Sequence, residues 1–176
     1  MAKTYQLNKS KYLLETEQKE LVRVLELFKS KEPRDVSLLS LALNTGARAT
    51  ELLNIKWEDL DEHDQTVFIR GIKGSNDREI PIRKEQFQRL YSLKAADKET
   101  DRVFKISYPR LVQIWLGYRP CFKKFHSLRH TFALSLYKKT KDIRLVQVAL
   151  GHKNIQNTMI YAEYVYSTEE LKKLIL

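Results

Sequence analysis

The chain has 176 residues, 43% of them hydrophobic and 31% charged, which accommodates one domain with a sizeable core and argues against a second full domain. One cysteine, Cys121, rules out an internal disulfide and a cysteine-rich zinc site, and the longest apolar run, Ser37 to Leu43, is too short to cross a bilayer. The net charge of +10 is regional: residues 1–66 hold 10 lysines and arginines against 12 acids, residues 67–176 hold 22 against 10, and such polarity suits a polyanion such as DNA or RNA. Met1 is followed by polar residues rather than an apolar leader, so a cytoplasmic protein is expected.

Thr16 is a good N-cap, and Leu21, Val24, Leu25 and Phe28 recur at helical spacing, so "TEQKELVRVLELFKS" reads as an amphipathic helix. After Pro33, "RDVSLLSLALNTGA" is apolar on every side, the pattern of a buried helix that Gly46 is placed to end. "ATELLNIKW" reads as a third, short helix. The period changes at Thr66: "TVFIRGI" and "DREIPI" are β-rich runs around the turn "KGSN", a hairpin with Lys73 near its tip. Helical patterns return in "KEQFQRLYSLKAA", in "YPRLVQIWLGYR" with Pro109 in the first turn, in "HSLRHTFALSLYKK", and in "DIRLVQVALGH", capped by Asp142 and closed by Gly151. A last helix begins at Ser167, where "STEE" is a capping box. The expected fold class is mainly α with a small antiparallel β-sheet.

On a helix, positions i, i+3 and i+4 are neighbours, so His126, Arg129 and His130 can face one ligand together. That ligand is expected to be an anion: a guanidinium offers a planar fork of donors matched to phosphate, and histidine can donate a hydrogen bond or carry a proton near neutral pH. His-x-x-x-His is also zinc-like spacing. A metalloprotease, however, would need glutamate where Ser127 stands, an arginine in the site would repel a cation, and no carboxylate accompanies His152 in "LGHKN".

Further segments extend this turn into a set. "NTGARATELLNIKW" places Arg48 after the glycine-ended helix, "RGIKGSNDREIPI" places Lys73 on a hairpin, "VALGHKN" places His152 at a helix end, and "NTMIYAEY" places Tyr161 nine residues later. Together with "HSLRH", these resemble in order and wording the motifs of the tyrosine recombinase (phage integrase) family catalytic domain, over roughly residues 12–166. The resemblance implies a site-specific DNA recombinase or integrase that cleaves and rejoins DNA through a 3′-phosphotyrosyl intermediate, using no metal, cofactor or ATP. By it, Arg48 and Arg129 would clamp one scissile phosphate, and Tyr161 would be the nucleophile. Lys73 would protonate the leaving 5′ oxygen, His126 would assist proton transfer or bind phosphate, and His152 would donate to the phosphate. Glu51 would buttress the arginine, and His130 would either support the site or touch the phosphate.

The residue types suit that chemistry. Attack on a phosphodiester builds negative charge on phosphate oxygens, and fixed cations aimed there lower the barrier. A phenol, with an ordinary pKa of about 10, needs a base or a strong positive field to act near neutrality. Two alternatives share these residues: a type IB topoisomerase-like nicking and closing enzyme, and a non-catalytic DNA-binding regulator, which would have no need of Tyr161.

The resemblance further implies double-stranded DNA as partner, no membrane, a monomer alone and a homo-oligomer on DNA, tetrameric by family analogy. Residues 1–176 would form a single catalytic domain with an N-terminal extension at 1–11 and a C-terminal helix at 167–176 that either packs on its own domain or docks on a neighbouring protomer. About 45 residues precede Arg48, against the additional DNA-binding domain most family members carry there. The chain is therefore either a single-domain member or a piece of a longer one.

Overall fold

The computed structural model describes residues 7–72 and 74–165, and Ile175. The C-terminal helix expected at 167–176 and Lys73 fall outside the described residues, Ile175 apart. The fold is mainly helical with one three-stranded antiparallel sheet, as the residue patterns predict.

Helix α1, Glu15–Phe28, lays Leu21 and Leu25 on α2, Pro33–Thr45. Leu14, not Thr16, stands at the N-cap of α1, because Glu17 Oε2 accepts the Leu14 N–H at 2.7 Å and satisfies that donor without a hydroxyl. Helix α2 is the central element. Val36, Leu38, Leu39, Leu41 and Ala42 are fully buried, and Gly46 ends the helix with φ +61°. A side chain at Gly46 would be strained by that backbone and would meet the Phe132 ring at 2.5 Å, so glycine lets α2 stop directly against α6.

Helix α3, Ala49–Leu52, is shorter than its apolar pattern suggests. The Ile55 carbonyl accepts the Val103 N–H at 2.9 Å and the Trp57 N–H reaches the Asp101 carbonyl at 3.1 Å, so pairing with a distant segment replaces the next helical turn. A 3-10 turn, Trp57–Asp59, leads into β1, Leu60–Asp61, a two-residue strand too short to show a period. Strands β2, Thr66–Ile69, and β3, Arg78–Pro81, pair as expected, with Ile69 opposite Arg78.

Helices α4, Lys84–Tyr91, and α5, Tyr108–Tyr118, complete the wall around α2. The remaining helices are α6, Ser127–Thr140, α7, Ile143–Leu150, and α8, Gln156–Val165. Asp142 accepts from the Arg144 and Leu145 N–H groups to start α7, and Gly151 closes it at φ +69°. The residue pattern over 156–165 predicts no helix. Asn154 accepts the Gln156 N–H at 2.9 Å to start this one, and packing on α6 and α7 stabilises it in place of a strong amphipathic pattern.

Two apolar clusters result. One surrounds α2. The other joins Leu7 and Tyr12 to Ala133, Leu134 and Tyr137 of α6, Val146 and Leu150 of α7, and Tyr161 of α8. Thr131 Oγ1 accepts the Leu13 N–H at 2.8 Å, pinning the incoming chain to α6. No helix among the described residues is long and apolar enough to cross a membrane.

Candidate active site

Helix α6 carries the centre of the site. His126 stands at its N-cap, and Arg129, one turn in, is 2% exposed. Its guanidinium donates from Nη1 to the Gly46 carbonyl at 2.7 Å and from Nη2 to the Leu150 carbonyl at 2.8 Å. Those carbonyls end α2 and α7, where the partial negative charge of helix C-termini gathers, so two helix ends converge on one cation. Burial, then the charges of Arg48 and Arg78, pull the Arg129 pKa down to about 9 against the opposing pull of Glu51.

Arg48, the N-cap of α3, faces the same cleft with a half-buried side chain. Its Nη1 donates to Glu51 Oε1 at 2.9 Å and also bonds Ser75 Oγ, while its backbone N–H donates to Glu51 Oε2 at 2.8 Å. Glu51 is 1% exposed and also accepts from Arg78 Nη2 at 2.7 Å, with Arg129 Nη1 3.9 Å from Oε2. Burial raises its pKa, but the hydrogen bond and charge of Arg78, the Arg48 N–H and the Arg129 charge outweigh it and hold the carboxyl below its ordinary value.

The hairpin loop is tied to this cluster from both sides. Asn76 donates its N–H to the Gly151 carbonyl at 2.8 Å, and Ser75 forms a bridge with His152. A Cβ at Gly151 would meet the Asn76 carbonyl at 2.6 Å, so the close approach of loop and turn requires glycine there. Lys73 belongs to this loop by sequence.

Three histidines surround the arginines. His126 and His130 meet edge to face with ring centroids 4.9 Å apart, and His152 Nδ1 lies 2.9 Å from Thr158 Oγ1. Desolvation, then neighbouring positive charge, holds His126 and His152 down to about 4 and His130 to about 3. For His126 and His152 the charges are Arg129 and Arg48; for His130 they are His126 and Arg129. All three rings are therefore neutral at pH 7 and available as hydrogen-bond partners that add no repulsion. Tyr161 is 2% exposed, and its hydroxyl lies 3.0 Å from His130 Nδ1.

Arg48, His126, Arg129, His130, His152 and Tyr161 line one cleft of about 590 Å³, although they come from four separated segments. A neighbouring groove of about 460 Å³ shares Arg48 and His126 and runs between Tyr108, Leu116, Arg119 and Lys124. Such a cleft can receive a single tetrahedral anion on its arginines with a phenol alongside. Among the described residues no cluster of His, Cys, Asp or Glu is arranged to hold a metal ion.

Two residues of the cluster, Ser75 and Arg78, escape the motif reading. Strand alternation carries a signal for Arg78, because "REIPI" puts it on the inward register with Ile80 and Ile82. Ser75 offers none, since its partner Arg48 is fixed by tertiary folding.

A family profile described as the phage integrase family matches residues 11–109 and 122–167. The tyrosine recombinase XerA of Pyrococcus horikoshii is 33% identical over 94% of this chain and 60% of that protein. A tyrosine recombinase XerC of Staphylococcus aureus is 32% identical over 96% of this chain and 62% of that one. Among solved structures, a XerA recombinase superposes with a TM-score of 0.73 at 26% identity, over 99% of this chain and 64% of that chain. The chain thus spans about 60% of the length of the curated relatives it matches. The catalytic domain of bacteriophage HP1 integrase shares the fold, with a TM-score of 0.66 at 24% identity over 93% of this chain and 92% of that one. With the profile covering most of its length and Arg48, His126, Arg129, His152 and Tyr161 of the motifs lining one cleft, the chain belongs to the phage integrase family of tyrosine recombinases.

Proposed function

We propose that this chain breaks and rejoins double-stranded DNA as a site-specific recombinase or integrase, and that Tyr161 carries the DNA between the two steps. What supports the reading is one observation: the phenol of Tyr161 shares a cleft with Arg48, Arg129, His126 and His152. A scissile phosphate would sit between the arginines, each donating to non-bridging oxygens. Tyr161 Oη passes its proton to the neutral ring of His130, 3.0 Å away, and attacks phosphorus as the bond to the 5′ oxygen breaks. The 3′ phosphate ends on tyrosine, and the 5′ end leaves as a hydroxyl once protonated.

Lys73 is the proton donor in this reading: a lysine brought beside other cations would give up its proton more readily than a free one. His126 and His152, neutral at pH 7, bond the phosphate without competing with Lys73 as acids. His130 orients the phenol through the 3.0 Å contact. The phosphotyrosyl bond keeps the energy of the broken diester, so a 5′ hydroxyl of another strand can reverse the step without ATP.

The basic excess of residues 67–176 and the groove past Arg119 and Lys124 give the flanking backbone a track. The protein acts in the cytoplasm, as a monomer alone and as an oligomer on DNA. In the oligomer residues 167–176 dock on the neighbouring protomer, and sedimentation on DNA with and without those residues tests this.

The test of the activity is a nicked duplex that traps the covalent state. A denaturant-resistant protein–DNA adduct is expected, insensitive to EDTA and abolished by Tyr161→Phe. An adduct surviving that substitution would remove Tyr161 as the nucleophile, and no adduct on any duplex would favour a regulator. Relaxation of supercoiled DNA without strand exchange would favour the topoisomerase-like reading.

A further inference from the structure

Arg78 is a buried cation that the proposed reaction does not use. Its side chain is 2% exposed, Nη2 donates to Glu51, and Nε and Nη1 have no hydrogen-bond partner among the described residues. Burying a guanidinium with donors unpaired is costly, and an apolar side chain would suit a strand register shared with Ile80 and Ile82. Its pairing with Glu51 offsets only part of that cost, so stability alone is an incomplete reason for arginine at this position.

The surroundings give a second. Glu51 Oε1 is taken by Arg48 Nη1, and Oε2 is taken by both the Arg48 N–H and Arg78 Nη2. The carboxylate is thus pinned at both oxygens, and one negative charge serves three guanidiniums, of Arg48, Arg78 and Arg129. Arg78 also touches the other side of the cluster, since a Cβ at Gly151 would lie 3.1 Å from its Nη1. It opens β3, opposite Ile69, at the mouth of the hairpin loop that contains Lys73.

We propose that Arg78 is a positioning residue: it holds Glu51 so that the carboxylate braces Arg48 without cancelling the charge of the arginine pair, and it seats the hairpin against the Gly151–His152 turn. The proposal rests on the strand-transfer reading for its effect on rate. Without Arg78, Oε2 loses its outer partner, Glu51 is shared between Arg48 and Arg129 alone, and the cleft presents less net positive charge to a phosphate. The carboxylate is also freer to turn, and Arg48 with it.

The experiment compares wild type, Arg78→Gln and Arg78→Lys in the full chain, with folding checked by circular dichroism and thermal unfolding. Adduct formation is timed at saturating nicked duplex, and DNA affinity is measured separately. Arg78→Gln should slow adduct formation by about 10- to 100-fold while changing affinity less than about 3-fold, and Arg78→Lys should recover part of the rate. A folded variant with the wild-type rate overturns the proposal. So does an affinity loss as large as the rate loss, which would make Arg78 a DNA contact.

A second readout needs no cleavage. Arg78 is one of the charges that hold His152 below its ordinary pKa, so nuclear magnetic resonance titration of the His152 ring should show an upward move in Arg78→Gln and little change in Arg78→Lys. If Arg78→Gln does not fold, Arg78→Lys carries the rate test, and an undiminished rate there overturns the positioning role. If wild type forms no adduct yet His152 moves as stated, the strand-transfer reading fails and the place of Arg78 in the cluster stands. An unmoved His152 overturns the electrostatic part whatever the rates.

Discussion

The cleft's two arginines are held in different ways. Arg129 is gripped by main chain, with both terminal nitrogens on the closing carbonyls of α2 and α7, and its side chain is 2% exposed. Arg48 is held by side chains, Glu51 and Ser75, and its own side chain is 33% exposed. A cation on backbone carbonyls is fixed wherever the fold is fixed. One held by a hydroxyl and a carboxylate can exchange a partner for an incoming phosphate oxygen at little cost. The cleft thus pairs a rigid anchor with an adjustable one, and the adjustable one depends on Glu51 and Arg78.

The largest expected effect separates the two anchors. Arg48→Ala and Arg129→Ala should each slow adduct formation by at least ~100-fold, the size of losing one aimed donor. In stability they should part. Arg129→Ala strands two buried helix-end carbonyls and should cost about 3 kcal/mol, roughly 9 °C in Tm for a domain of this size. Arg48→Ala leaves Glu51 paired with Arg78 and should cost no more than about 1 kcal/mol. Equal losses of Tm would break the distinction between the anchors.

Next in size is Gly151→Ala, which forces a Cβ onto the Asn76 carbonyl at 2.6 Å and a side chain into φ +69°. A loss of about 2 kcal/mol in chemical denaturation is expected. A neutral result would mean that the hairpin loop does not rest on this turn.

A further effect follows from pH. The folded protein holds His126 and His152 at about 4 and His130 at about 3, below the value of 6.5 for an unperturbed ring. Between 6.5 and about 4 the unfolded chain therefore binds protons that the folded chain refuses, so stability is full above that window and declines as pH falls through it. Thermal unfolding should show Tm lower at pH 5 than at pH 7. Sulfate should recover more of it at pH 5, since an anion in the cleft favours protonated rings. A Tm unchanged between these pH values would argue that the rings are not sequestered. Smallest of all, Ser75→Ala should lower the adduct rate several-fold at unchanged Tm, because it removes only one side-chain hold on Arg48. A Tm loss as large as that of Gly151→Ala would make Ser75 structural.

What could be read from sequence followed spacing. His126, Arg129 and His130 are neighbours on any helix, and Arg48, His152 and Tyr161 sit in short, ordered motifs, so the cleft's membership was legible before its shape. The buried α2 and the hairpin were legible for the same reason, their periods being strong. Helix α8 was not, because packing on α6 and α7 defines it rather than any pattern of its own. The early end of α3 was hidden because a segment near residue 102, some fifty positions away, takes over its hydrogen bonds. Arg78 is hard to single out because no local rule separates a buried strand arginine from an exposed one, although its alternation with Ile80 and Ile82 carries a signal.

The claim that both arginines act on one phosphate is tested most directly by a double-variant cycle on adduct formation. Rates would be timed for wild type, Arg48→Lys, Arg129→Lys and the pair, since lysine keeps the charge but not the fork. Groups sharing one phosphate and one buttressing carboxylate are coupled, so the double variant should lose clearly less than the product of the single losses. Losses that simply multiply would mean that Arg48 and Arg129 act independently, and would contradict the account.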